Sequence, residues 1–136
     1  RENLTALEVL DLSGTNMTVF PNRALAFYNG ENTTLKEVIL PEGLISIEEA
    51  AFANCTALEK LNVPPTINTL GRWILENTKV TSFTIPQGVT EIPASCFYGS
   101  AITTINIPPS VKTIGNWAFQ DAKLTEVVIP SSVIHQ

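Results

Sequence analysis

A 22-residue repeat constrains this chain more than any other feature of its sequence. The stretch ITTINIPPSVKTIGNWAF (102–119) follows the similar stretch VTSFTIPQGVTEIPASCF (80–97) after 22 residues. Each copy opens on an apolar residue, at spacings of 22 or 23 residues: Leu35, Leu58, Val80, Ile102 and Leu124. A proline stands six positions after each: Pro41, Pro64, Pro86, Pro108 and Pro130. Such a fixed period predicts a solenoid, because each copy can bury its apolar face only against its neighbours.

The repeats divide the chain into six units. The first, 4–34, is divergent, although its LTALEVLDL matches CTALEKLNV of residues 55–63 almost letter for letter. The four full units are 35–57, 58–79, 80–101 and 102–123, and a sixth, 124–136, breaks off after its strand. We therefore predict a single repeat domain over residues 1–136 and expect it to be a fragment of a longer chain.

Each unit has two halves with different patterns. The first half is apolar at its first, fourth and sixth positions, which predicts a short strand with one buried face. The proline that follows cannot donate a ladder hydrogen bond and ends the strand. The second half, for example IEEAAFANC (47–55), is compatible with one or two helical turns. The predicted fold class is an α/β solenoid with parallel strands on one face and short helical or irregular segments on the other.

Composition excludes several classes of partner. The net charge is −5 and no Lys/Arg cluster is present, which argues against nucleic acid. No apolar run approaches the ~18 residues of a membrane-spanning segment. The hydrophobic fraction is 44% against 15% charged residues, which predicts a folded chain.

The chain offers no catalytic arrangement that we can assemble. Its single histidine is His135, so no Ser-His-Asp or Cys-His set forms, and no zinc-type spacing exists. Cys55 and Cys96 stand two units apart, about 10 Å in a stacked array, which is too far for a disulfide. We predict two free, buried thiols, no enzyme activity, no cofactor and no metal.

The candidate binding surface consists of the outward strand positions. If the first, fourth and sixth positions of a strand point inward, the third and fifth point out. The candidate ligand-binding residues are Glu37, Ile39, Lys60, Asn62, Thr84, Thr104, Asn106 and Glu126. The alternative interpretation is a solvated face whose threonines simply favour β structure.

Two tryptophans occupy one position of the repeat, two units apart. Trp73 and Trp117 alternate there with Ala50 and Ser95. Large residues that alternate with small ones favour packing of each indole over its neighbour's small residue. The alternative is an exposed aromatic anchor, since tryptophan is enriched in binding hot spots.

These residues resemble the BspA-like, Treponema pallidum type of leucine-rich repeat. Its unit, LxxIxIPxxVxxIGxxAFxxCxx, is followed nearly throughout by ITTINIPPSVKTIGNWAFQDA (102–122). Cys55 occupies the cysteine position, where Asn77, Gly99 and Asp121 depart from the pattern. The resemblance implies a right-handed, curved leucine-rich repeat superhelix with its strands on the concave face. It also implies an extracellular or cell-surface protein of host-associated bacteria or parasitic protists, commonly an adhesin.

The resemblance therefore implies a non-catalytic module that binds host extracellular or matrix proteins, or microbial surface proteins, through its concave sheet. The alternative is a structural spacer or display scaffold with no ligand of its own. The sixth unit has no capping repeat, so we expect either a longer natural chain or end-to-end self-association there.

Overall fold

The computed structural model describes residues 7–25 and 30–134. Ten short strands lie in this part of the chain, each two or three residues long. They are β1 (Val9–Asp11), β2 (Val19–Phe20), β3 (Glu37–Ile39), β4 (Ser46–Ile47), β5 (Lys60–Leu61), β6 (Thr69–Leu70), β7 (Ser82–Thr84), β8 (Glu91–Ile92), β9 (Thr104–Asn106) and β10 (Thr113–Ile114).

The strands form two series along the chain, and each unit from the first to the fifth gives one strand to each series. The odd-numbered strands pair in the orders β1-β3-β5 and β7-β9, and the even-numbered strands in the orders β2-β4-β6 and β8-β10. Every pairing is parallel, and its register steps by one unit, so that Ser82 lies opposite Thr104. The chain is therefore a β-solenoid with parallel strands, as predicted.

The second half of each unit is irregular. No helix occurs in residues 7–25 or 30–134, so the irregular alternative describes these segments and the helical one does not. The physical reason is that each of the second to fifth units contains two left-handed residues, which helical hydrogen bonding does not accommodate. In the second unit these are Ala50, with φ 56°, and Asn54, with φ 64°. The equivalent pairs are Trp73 and Asn77, Ser95 and Gly99, and Trp117 and Asp121.

The core runs between the two strand series. Val80, Phe83 and Ile85, the first, fourth and sixth positions of their unit, are all buried, as the apolar pattern predicted. The divergent first unit joins the same core, because Phe20 lies opposite Ile47 in the ladder. Its ring stacks on that of Phe52, at 4.8 Å between centroids.

The cysteines are free and buried, as predicted. The alignment around Cys55 was wrong by one residue, because the shared left-handed φ aligns Asn77, Gly99 and Asp121 with Asn54. The residues equivalent to Cys55 are Thr78, Ser100 and Ala122. Thr78 and Ser100 are buried, so this position selects small side chains.

The sixth unit departs from the ladder. Residues 124–130 form no strand beside β9, although Lys123 N–H still donates to Ile102 O at 3.1 Å. The next unit-to-unit backbone bond joins Ile134 N–H to Lys112 O at 2.9 Å. A cleft of about 340 Å³ separates β9 from the segment, and Val128 on that segment is 74% exposed.

Candidate functional site

The outward side chains of the odd-numbered strands form one exposed surface, which we call the first-strand face. Its residues come from the second, third and fifth positions of the first five units. They are Glu8, Val9, Asp11, Lys36, Glu37, Ile39, Glu59, Lys60, Asn62, Thr81, Ser82, Thr84, Thr103, Thr104 and Asn106. All are exposed except Glu37 and Ile39, which are half-buried. The alternation of the strands thus places the predicted residues outward.

The structure brings seven of the eight predicted binding residues onto this face. Glu37 lies opposite Lys60, and Thr84 lies opposite Asn106, as strand neighbours. β5 and β7 do not pair as strands, but Lys79 N–H donates to Leu58 O at 2.8 Å, so their units remain in contact. The eighth residue, Glu126, lies on the segment that leaves the ladder, and it has no strand neighbour.

The half of the first-strand face formed by β1, β3 and β5 is charged. The ammonium of Lys36 lies 3.7 Å from the carboxylate of Glu8, with both side chains more than half exposed. An exposed pair of this kind contributes only about 0–1 kcal/mol to folding, so both groups remain accessible to a partner. The same pair lines a shallow depression of about 190 Å³, together with the charged side chains of Glu37, Glu59 and Lys60.

Asp11 adds a further negative charge at the edge of this half. Hydrogen bonds from the side chain and backbone of Ser13 lower the pKa of Asp11 below its usual value, and the Ser13 N–H lies 2.9 Å from the carboxylate. The charged half therefore presents both signs of charge close together.

The half formed by β7 and β9 is neutral. It presents the hydroxyl and amide groups of Thr81, Ser82, Thr84, Thr103, Thr104 and Asn106. The Thr103 hydroxyl donates to Thr81 O at 3.3 Å, which fixes one threonine of the stack to the preceding unit. The remaining hydroxyls suit hydrogen bonding rather than charge recognition.

Asn62 has a role that its sequence position did not reveal. Its side-chain oxygen accepts from Leu40 N–H at 2.7 Å, and its side-chain NH₂ donates to Leu40 O at 3.1 Å. Both polar groups of the amide therefore serve the backbone of the preceding unit. Asn106 occupies the same position of its unit, but no hydrogen bond joins its amide to the described residues. The two asparagines look alike in the sequence, so only the structure separates them.

The described residues offer neither a metal cluster nor an activated thiol. No group of three or more His, Cys, Asp or Glu side chains in this part of the chain could hold a metal ion. His135 lies outside the described residues. Burial raises the pKa of Cys55 to about 12 and raises that of Cys96 well above its ordinary value, which disfavours the nucleophilic thiolate. Within the same residues, no helix is long and apolar enough to cross a membrane.

The packing interpretation of the tryptophan position was wrong for Trp117. Its side chain is 63% exposed, whereas Trp73 is half-buried. The Arg72 guanidinium carbon lies 6.0 Å from the centroid of the Trp73 ring. Trp117 thus fits the alternative interpretation, an aromatic side chain presented to solvent. It lies in the irregular second half of its unit, and we call the side of the solenoid formed by these irregular segments the turn side.

The parallel repeats and the outward polar face define a leucine-rich repeat solenoid. Six copies of the BspA type leucine rich repeat region match residues 23–135, so the chain belongs to that family. The match indicates no enzyme family. No functionally curated protein is similar enough to the chain to match it.

Two solved structures show a similar fold. One is a leucine rich cell surface protein from Faecalibacterium prausnitzii A2-165, with a TM-score of 0.57 and 22% identity over 95% of this chain. The other is the pneumococcal vaccine antigen PcpA, with a TM-score of 0.50 and 19% identity over 95% of this chain. The chain spans 38% of the first structure and 36% of the second.

Proposed function

We propose that this chain is a non-catalytic module of a cell-surface or secreted protein, and that it binds an extracellular protein through the first-strand face. The observation that carries the proposal is a set of charged side chains there without a close intramolecular partner. In the described part of the chain, Glu37, Glu59 and Lys60 have no oppositely charged group within 4.0 Å. Such charges steer and orient a protein partner that carries complementary groups.

The similar proteins support the extracellular assignment. One of the two similar structures is named as a cell surface protein and the other as a vaccine antigen. By analogy, the partners of this chain are host matrix proteins or microbial surface proteins. We also propose that residues 1–136 form one domain with the six units described above. We further propose that the solenoid is right-handed, with the first-strand face on its concave side.

A structural spacer is the second candidate function. It is favoured by Asn62, whose amide bonds the backbone of Leu40 rather than facing a ligand. It is also favoured by the threonines of the neutral half, a residue type that suits strands whether or not a ligand binds.

The test is the binding of the purified domain to immobilised fibronectin, fibrinogen and other matrix proteins. The first variant, Glu37→Gln with Lys60→Gln, removes one charge of each sign from the first-strand face. The matched control, Glu91→Gln with Lys112→Gln, does the same at two exposed residues of the other strand series, Glu91 on β8 and Lys112 immediately before β10. Asn62 is left intact because its replacement would disturb the fold.

We expect saturable binding that the first variant weakens at least tenfold and that the control retains. Equal loss in both variants would point to a general charge effect and contradict a site on this face. Absence of binding across the panel, from protein shown to be folded, would favour the spacer.

A further inference from the structure

The turn side of the solenoid carries a second candidate site, built on a Gly-x-Trp segment that occurs in alternate units. The two segments are Gly71-Arg72-Trp73 and Gly115-Asn116-Trp117. A Cβ on Gly71 would lie 2.5 Å from Glu49 N, and one on Gly115 would lie 2.3 Å from Ala94 N. Only glycine allows this approach, so each tryptophan-bearing turn is held closely against the preceding unit.

Both tryptophans adopt a left-handed backbone, with φ 54° at Trp73 and 61° at Trp117. That region is unfavourable for a bulky residue, and other units place Ala50 and Ser95 at the same position. Since φ is similar at both tryptophans, we expect their Cα–Cβ bonds to point in the same direction relative to the solenoid. The backbone does not require an indole at this position, since alanine and serine adopt the same left-handed conformation in other units.

The intervening unit lies between the two tryptophans and completes a cleft of about 660 Å³. Trp73 N–H donates to Ser95 O at 2.9 Å, and Ser95 N–H donates to Asn116 O at 2.9 Å. The units are therefore one hydrogen-bonded spacing apart, which places the two tryptophan backbones about 10 Å from each other. The cleft is lined by Arg72, Trp73, Ala94, Ser95, Tyr98, Asn116, Trp117 and Gln120.

The lining has the chemistry of a saccharide site. Three aromatic rings offer apolar faces on which the C–H face of a sugar ring can pack, while the amides of Asn116 and Gln120 can bond its hydroxyls. The only formal charge in the lining is the guanidinium of Arg72. This cation disfavours a cationic ligand and suits a carboxylate or sulfate.

We propose that this cleft binds a saccharide chain that carries one acidic sugar, with a sugar ring on Trp117 and the acidic group at Arg72, beside the ring of Trp73. The site is separate from the first-strand face, and the protein partner proposed for that face does not occupy it.

The experiment is a glycan array that carries uronic-acid, sialic-acid and sulfated chains beside neutral ones, followed by a tryptophan-fluorescence titration with the strongest acidic binder. We expect saturable binding to at least one acidic chain, at least tenfold tighter than to its neutral counterpart. Trp117→Asn should abolish it, and Arg72→Gln should remove the preference for the acidic chain.

The variants distinguish loss of the site from loss of the fold. Asparagine tolerates the left-handed backbone better than tryptophan does, so Trp117→Asn should keep the parent's circular dichroism spectrum. Val19→Ala, at an exposed residue on β2, is the matched control and should bind like the parent. The Glu37→Gln, Lys60→Gln variant should also bind the saccharide like the parent, which separates this site from the proposed function.

Three results would overturn the proposal. The first is a preference for no acidic chain on the array. The second is parent-like saccharide binding by Trp117→Asn. The third is concentration-dependent self-association that Trp117→Asn abolishes, which would assign the cleft to a second copy of the chain.

Discussion

At the residue scale, backbone conformation decides which side chains the turn side of the solenoid tolerates. The second left-handed position of the second to fifth units holds Asn54, Asn77, Gly99 and Asp121, residue types that adopt positive φ most readily. The first position holds residues that do not share this preference, and a left-handed L-residue costs about 1–2 kcal/mol. The alternation of tryptophan with small residues was visible in the sequence. The conformation that turns Trp117 outward was not, because no residue type at that position predicts it.

The first prediction concerns the close contact at Gly115. In Gly115→Ala the new Cβ would lie 2.3 Å from Ala94 N, and a backbone atom cannot move aside cheaply. We expect the free energy of unfolding to fall by about 1–3 kcal/mol in urea titrations.

Gly43→Ala is the control, because no atom lies within 4 Å of its added Cβ and its φ is not positive. Its unfolding free energy should stay within about 0.5 kcal/mol of the parent. Equal midpoints for the two variants would contradict the contact.

The second prediction concerns the buried thiols. Burial raises the pKa of Cys55 from 9.0 to about 12, so the folded protein should not react with an aromatic disulfide reagent at pH 8. Both thiols should react after unfolding in urea. As the pH rises, the Cys55 thiol ionises in the unfolded chain before it ionises in the folded one. Burial of the protonated thiol therefore contributes fully to the free energy of unfolding below pH 9, and this contribution is lost as the pH rises towards 12. Rapid modification of either cysteine in the folded protein would show that it is not buried.

At the element scale, strands were predictable and turns were not. The burial of a strand position can be read from the sequence, because an inward position excludes charged side chains, which would be buried there without a partner. The turns depend on a left-handed φ at alanine, serine and tryptophan, and these residue types do not predict a left-handed backbone. Helical turns were therefore a reasonable expectation from a segment such as 47–55, and the left-handed residues Ala50 and Asn54 prevent them.

The third prediction tests the side-chain bridge from Asn62, the residue after β5, to the preceding unit. Asn62→Ala would leave the N–H and C=O of buried Leu40 without their asparagine partners. We expect a loss of about 2 kcal/mol in the free energy of unfolding. Asn106→Ala changes the same position of its unit and should cost much less, because no hydrogen bond joins that amide to the described residues. A similar loss from both variants would show that the bridge does not stabilise the fold.

At the scale of the whole molecule, the first-strand face joins a charged half to a neutral half. The sequence predicted which side chains point outward, since strand alternation fixes that. It could not predict that Asn62 bonds the backbone or that Glu126 leaves the ladder. Those outcomes depend on distances between units, which no pattern within one unit encodes.

The fourth prediction concerns the exposed apolar side chains of the sixth unit, which we propose mediate self-association of this chain. Val128 is 74% exposed and Ile134 is 79% exposed. Burial of apolar surface of this kind drives association, so the sedimentation-velocity mass should rise with protein concentration.

Val128→Lys with Ile134→Lys should remain monomeric, because association would then bury two charges. Val19→Lys, at an exposed valine on β2, is the control and should associate like the parent. A parent mass that does not change with concentration would contradict this proposal.

The most direct test of the central claim, that the first-strand face is the binding surface, is amide hydrogen exchange with and without a captured matrix protein. We predict that the bound partner slows exchange in peptides that contain β3, β5, β7 and β9, and leaves exchange in the turns at Trp73 and Trp117 unchanged. Protection confined to the turn side, with the odd-numbered strands unaffected, would contradict it.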